Sequence, residues 1–151
     1  MAIETPHGGT RGARPRAGPL LRFGTWMMAN VVRRSSRMAS SMLVLTTVGA
    51  KTGQRREVPL GFIADGADRW LIVAAANGTA KNPAWLHNLA EHPDQAWIEV
   101  GHEKVKVRPE TLAGDERAAA WSRIVAKTPQ YGAQEAKTDR EIAIVRLTRE
   151  A

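Results

Sequence analysis

The residues best able to do chemistry in this chain are cations set around a glycine turn. Gly49-Ala50-Lys51-Thr52-Gly53 is followed almost at once by Arg55 and Arg56, so three positive side chains and turn N–H groups share one hairpin tip. Such a concavity can hold an anion, most simply a phosphate or a carboxylate. It is not a nucleotide-binding P-loop, because the G-x-x-x-x-G-K-[ST] order is missing and strand-like residues follow in place of a helix. A second segment runs Ala74-Ala75-Ala76-Asn77-Gly78-Thr79-Ala80-Lys81-Asn82-Pro83-Ala84-Trp85. Its three alanines leave room for a flat ring beside the backbone, and Gly78 permits a tight turn. Lys81 and a helix starting near Pro83 offer a second contact for negative charge. A charged hairpin tip alone is most often simply solvated. A flat-ring site next to an anion site has the outline of a flavin-type cofactor.

Other chemistry is poorly provided for. There is no cysteine, which excludes disulfides, thiolate metal sites and thiol nucleophiles. No G-x-S-x-G elbow is present, and the serines fall mostly at residues 35–41 without a placed base. The histidines are His7, His87, His92 and His102; His87 and His92 are five apart, on different sides of a helix, so no metal site is expected.

The elements that position these segments follow from the apolar pattern. Residues 1–18, rich in glycine, proline and arginine, predict a disordered basic arm. Pro19 suits a first helical turn, and Leu20, Phe23, Met27 and Val31 recur at helical spacing, which predicts an amphipathic helix over residues 19–36 facing the core. Met42–Val48, Arg56–Ala64 and Trp70–Ala76 read as strands joined by turns short enough for antiparallel hairpins. A short helix follows Pro83 through Trp85, Leu86 and Leu89. Ala96–Val100 and Lys104–Pro109 make a further hairpin, a helix runs from Asp115 to about Lys127, a loop covers Thr128–Lys137, and Ile142–Thr148 is the last strand. Six antiparallel strands with short flanking helices and no βαβ alternation predict a mainly β (α+β) fold, a small closed or partly closed barrel over residues 19–151.

The net charge of +7 is placed unevenly. Residues 1–37 hold seven arginines and one acid, so the remainder carries only +1. A near-neutral folded region without basic residues interleaved with exposed aromatics argues against a nucleic-acid binder. The arm and the first helix leave room for peripheral contact with an anionic membrane. Ala17–Val32, interrupted by Arg22 and Asn30, is too short and polar to span one, and no secretory signal is evident, so a cytoplasmic location is expected.

The stretches Leu45–Leu60 (LTTVGAKTGQRREVPL) and Ala75–Leu89 (AANGTAKNPAWLHNL) resemble the deazaflavin-dependent nitroreductase and quinone-reductase family of actinobacteria. Weaker likeness extends from HPDQAWIEVG to TDREIAIV, so the resemblance spans about residues 20–150. It implies a six-stranded split β-barrel related to the pyridoxamine-phosphate-oxidase fold, and coenzyme F-420 as cofactor, with FMN the alternative. The first block then implies Lys51, Thr52, Arg55 and Arg56 at the phosphate and acidic tail, with Val58, Pro59 and Leu60 bordering the ring. The second implies Ala74, Ala75, Ala76 and Asn77 against the ring through their backbone. Lys81, Asn82, Pro83, Trp85, Leu86 and Asn88 lie around phosphate and ring.

The resemblance implies hydride transfer to a small electron-poor acceptor: a quinone, an enone or a nitro compound. Such chemistry asks the protein for positioning and a proton, from solvent or from Tyr131, the only tyrosine. Family members commonly carry an aromatic residue after the tryptophan and several tyrosines; here Leu86 and the lone Tyr131 point away from nitroimidazoles. The acceptor pocket is expected to draw on Trp26, Met27, Trp85 and Tyr131. A non-catalytic cofactor or lipid carrier on the same barrel is the competing reading. The sequence leaves the oligomeric state open.

Overall fold

Residues 3–13, 19–35 and 40–150 are described by the computed structural model of the chain. The apolar, β-branched run Met42–Val48 forms β1, and the Gly49–Gly53 turn returns the chain as β2 (Arg55–Gly61) in antiparallel register. The turn needs both glycines. Gly53 has φ +68°, and a Cβ on Gly49 would sit 2.5 Å from Thr52 Oγ1. The chain then bends at Phe62, whose N–H donates to Ser41 O at 3.0 Å, and continues as β3 (Ile63–Ala64).

β4 (Arg69–Val73) and the 3-10 turn Ala76–Gly78 lead into α2 (Ala84–Glu91). β5 (Trp97–Val100), β6 (Glu103–Thr111), α3 (Gly114–Lys127), α4 (Gln130–Ala136) and β7 (Ile144–Arg149) complete the order, with α1 (Pro19–Arg34) ahead of β1.

All neighbouring strands are antiparallel, in the order β2-β1-β5-β6-β7-β4-β3. The first and last strands of that order, β2 and β3, are one stretch of chain, so the sheet curls back towards itself. β6 serves both halves: residues 103–106 pair with β5 and residues 107–111 with β7. The expected second strand, 56–64, is thus β2 plus β3. The bend at Phe62 accounts for seven strands where the pattern predicts six.

The barrel interior is lined by Leu43, Leu45, Ile72, Ile98, Val105, Val107, Val145 and Leu147, and α2 adds Trp85, Leu86 and Leu89. Burying each large side chain contributes about 1.5–3 kcal/mol. On the outer face a second core joins Ile63, Leu71, Val73 and Ile144 to Ala120 and Ile124 of α3. α1 covers β1 through Ala29 and Val32, which pack on Val44.

Three expectations are corrected. Thr128–Lys137 is not a loop but contains α4, whose Tyr131 packs on the second core. The apolar stripe of α1 does not face the core at Met27 and Val31, both 47% exposed, because Ala29 and Val32 are small enough to bring the helix close to the sheet. The side chains of Leu20 and Phe23 lie outside the described residues. The arm is not free over residues 3–13. Gly9 N–H donates to Ala80 O (2.7 Å), Ala13 N–H donates to Gly78 O (2.9 Å), and Ala13 forms a parallel bridge with Thr79. This strap has no apolar periodicity to announce it: apart from Ile3, packed on the interior core, it docks through main-chain groups and polar side chains such as Thr10. Among the described residues no helix is long and apolar enough to cross a membrane.

Candidate functional site

The two segments singled out by residue type meet at Asn88. This α2 side chain is buried, its Nδ2 donates to Thr47 Oγ1 at 3.0 Å, and its Oδ1 accepts the Ala50 N–H at 2.9 Å. One amide therefore fixes the glycine turn against the helix that follows the alanine segment. Thr47 in turn pairs with Arg56 across β1–β2.

Strand alternation sorts the cations. Thr47, Leu45 and Leu43 stand opposite Arg56, Val58 and Leu60, so these share the barrel side. Val48, Thr46 and Val44 stand opposite Arg55, Glu57 and Pro59, on the outer side. Arg56 thus leaves β2 at the barrel rim, on the side of Thr47 and its partner Asn88. Arg55 leaves on the other face, where its guanidinium lies 4.6 Å from the Trp97 ring centroid. Lys106 Nζ also approaches Trp97, at 5.0 Å. Further along the outer face Glu57 pairs with Arg33 of α1, which also donates to Glu99 at 2.9 Å. Lys51 and Thr52 are exposed at the tip, with Thr52 Oγ1 accepting from Gln54 N–H at 3.2 Å. Val58, Pro59 and Leu60 are half-buried, leaving part of an apolar edge open beside the rim.

The alanine segment is held from the far side by a residue that pattern reading passed over. Arg140 is 3% exposed and donates to Ala74 O (2.8 Å), Ala75 O (2.7 Å), Thr79 O (3.0 Å) and Asn82 Oδ1 (3.1 Å). Burial pushes its pKa below that of a free guanidinium. An arginine between two acids, Asp139 and Glu141, reads as a solvated loop, so nothing in the residue types reveals it. Asn82 also donates through Nδ2 to Pro6 O of the strap at 2.6 Å. Asn82 and Asn88 therefore have scaffold hydrogen bonds in addition to any ligand contact.

The remaining expected site residues are spread more widely. Trp85 and Leu86 are 7% and 0% exposed and belong to the interior core, so they anchor α2. Lys81 is exposed, Pro83 precedes the first turn of α2, and the Asn77 side chain lies outside the described residues. Trp26 is 60% exposed on α1, and neither it nor Met27 is walled into a closed pocket. Tyr131 is half-buried, and its hydroxyl lies 3.2 Å from where a Cβ on Gly61 would stand, so the missing side chain makes its room. Burial raises the phenol pKa above its ordinary value. Among the described residues no group of His, Cys, Asp or Glu is arranged to hold a metal ion.

A curled antiparallel sheet with a cationic glycine turn and an alanine-lined loop at its rim defines a split β-barrel. The chain belongs to the F420H(2)-dependent quinone reductase family, whose model matches residues 9–149. It is 36% identical over 114 residues to an F420H(2)-dependent quinone reductase of Mycobacterium tuberculosis, covering 74% of this chain and 75% of that one. A solved F420-H2 dependent reductase has a TM-score of 0.63 at 30% identity, covering 71% of this chain and 93% of that one. The heme storage protein of Vibrio cholerae shares the fold alone, with a TM-score of 0.53 at 13% identity over 84% of this chain and 91% of that one. A barrel that serves different ligands does not itself name the ligand.

Proposed function

We propose that this chain is a reductase that binds reduced coenzyme F-420 and delivers its hydride to a quinone-type acceptor. The observation that carries the reading is the family match across residues 9–149. It gains force from Asn88, which joins the two blocks on which the cofactor's ends are expected.

The donor set suits that cofactor. Lys51 and Arg56 provide positive charge for the phosphate and the acidic tail, with Arg55 on the opposite face within reach of a longer polyanion. The half-buried Val58 and Leu60 give the ring an apolar border, and the Ala74–Asn77 backbone admits it closely because the alanines carry only a methyl group. When bound, the reduced deazaflavin supplies a hydride. The protein's own tasks are to orient the ring, to hold the acceptor against it and to provide a proton. Tyr131 is the side chain placed for the last task, a half-buried neutral phenol beside Gly61, although burial raises its pKa and makes it a weaker acid than a free phenol.

Peripheral contact with an anionic membrane is the finer reading of where the acceptor is met. It is favoured by the exposed Trp26, Met27, Met28 and Val31 of α1, with Arg34 in the last turn.

One experiment addresses these points. The full chain is titrated with reduced coenzyme F-420 and, in parallel, with FMN, and a menaquinone analogue is then added while cofactor oxidation is followed. Micromolar binding of the deazaflavin with acceptor-dependent oxidation is expected. Binding without oxidation by any quinone would make the protein a carrier, and binding of FMN alone would overturn the cofactor assignment. Tyr131→Phe is expected to slow oxidation by about tenfold or more with cofactor affinity unchanged; an unchanged rate would assign the proton to solvent. Anionic vesicles of phosphatidylglycerol should co-sediment the wild type more than a Trp26→Ser variant, and equal sedimentation would sink the membrane reading.

A further inference from the structure

We propose that Arg140 is the positioning residue of the cofactor site, setting cofactor affinity by holding the Ala74–Asn82 loop from behind; this rests on the reading that the loop contacts the cofactor. Its guanidinium uses Nε, Nη1 and Nη2, and every acceptor they reach is neutral and belongs to that loop. No carboxylate pairs with it among the described residues. The adjacent Asp139 accepts instead from Thr10 and Arg11 of the strap. A buried cation without a counter-ion is costly, and its partners here are backbone carbonyls, so what it secures is the path of the loop.

The direction of those carbonyls determines what the loop shows on its other side. In a trans peptide the C=O of one residue and the N–H of the next point opposite ways. With Ala74 O and Ala75 O turned to Arg140, the N–H groups of Ala75 and Ala76 point away from it. Ala75 has φ −74° and ψ −37°, and Ala76 has φ +46°. A right-handed residue followed by a left-handed one makes a concave pair of N–H groups that favours negative charge. Ala76 is a non-glycine residue in the left-handed region, a conformation that persists only where surrounding contacts hold it. The Arg140 bonds to Ala75 O, before it, and Thr79 O, after it, act together with the turn's own bonds from Gly78 N–H to Ala75 O (2.8 Å) and from Thr79 N–H to Ala76 O (3.1 Å). Gly78 closes the loop at φ +74°, where an added Cβ would meet Gln134 O of α4 at 2.5 Å.

Arg140 bonds to the carbonyls of the loop and to Asn82 Oδ1, on the side away from the Ala75 and Ala76 N–H groups that face the expected cofactor. Its removal is therefore expected to act on cofactor binding and to leave the acceptor KM, measured at saturating cofactor, unchanged. Arg140→Lys keeps the charge but cannot span four acceptors with a planar fork. The variant and the wild type are compared below the melting temperature of both, with Arg140→Gln as second variant should the lysine form not fold.

Two readouts are taken. In the cofactor-free protein, amide exchange at residues 74–80 should quicken while β1 and β5 stay protected. In the loaded protein the cofactor Kd should rise by about tenfold or more, and millimolar guanidinium should restore part of the affinity of an Arg140→Ala variant. An unchanged Kd in a folded variant, or a Kd change with no change in loop exchange, would overturn the proposal. Failure of the wild type itself to bind coenzyme F-420 would instead overturn the functional reading, and the exchange measurement would still report on the loop.

Discussion

Asn88 and Thr47 are joined side chain to side chain at 3.0 Å, both buried, across the gap between α2 and β1. Because the same amide also accepts the Ala50 N–H, the helix after the alanine loop and the glycine turn move as one piece.

Asn88→Ala leaves the Thr47 hydroxyl and the Ala50 N–H without their partner. Orphaning the buried Thr47 hydroxyl costs about 1–3 kcal/mol, the half-buried Ala50 N–H less, and in a chain of this size each kcal/mol lowers Tm by about 2–4 °C. A fall of about 5 °C or more is expected by thermal melting, together with weaker cofactor binding because Lys51 and Arg56 lose their fixed base. A variant with wild-type Tm would show that the amide is dispensable to the turn.

Arg55 and Arg56 are neighbours in sequence but stand on opposite faces of β2. Arg56→Ala is expected to raise the cofactor Kd by about tenfold or more, the worth of one charge-assisted hydrogen bond. Arg55→Ala should act less, since its guanidinium rests over Trp97. Titration at two salt concentrations checks this: the Arg56 variant should show the smaller salt dependence. The reverse ranking would place the anion on the α1 side of the strand.

Asp139 reports on the strap. Its carboxylate accepts from the Thr10 hydroxyl (2.5 Å), the Thr10 N–H (2.8 Å) and the Arg11 N–H (2.9 Å), and these bonds, the hydroxyl first, hold its pKa at about 2 against 3.8. A depressed acid pKa stabilises the docked state fully above about 3.8 and loses that contribution as pH falls through about 2. The Thr10 and Arg11 amides, followed by NMR, should therefore titrate with a midpoint near 2 and stay constant above about pH 4. Asp139→Asn should speed tryptic cleavage after Arg11 at neutral pH. A midpoint at the ordinary aspartate value would mean that the strap is not held by this residue.

Much of the barrel was legible because its signals are local. The β-branched run of β1, the glycine turn and the alternation of β2 each state their own conformation. The cations of the turn were likewise visible as residue types, though not their division between two faces, which needs only strand alternation to see. What stayed hidden is held by distant pairings. Arg140 reaches a loop about sixty residues away, and the strap docks through main-chain groups and isolated polar side chains such as Thr10, whose partner Asp139 lies far along the chain. The helix α1 misled because the eye follows large apolar residues, whereas Ala29 and Val32, the small ones, make the contact and leave Trp26 and Met27 outside.

β7 lies in the sheet between β6 and β4, although Ile144–Arg149 is the final strand in sequence. On a ribosome, β4 therefore has only the two residues of β3 as a partner until residue 149 has emerged, and the second outer core lacks Ile144 over the same interval. The unmated flank of β4 is apolar and open to pairing with another nascent chain. Closure must thus come late, as a long-range event, and cellular yield should respond more to substitutions in β7 than to equally buried ones in β1.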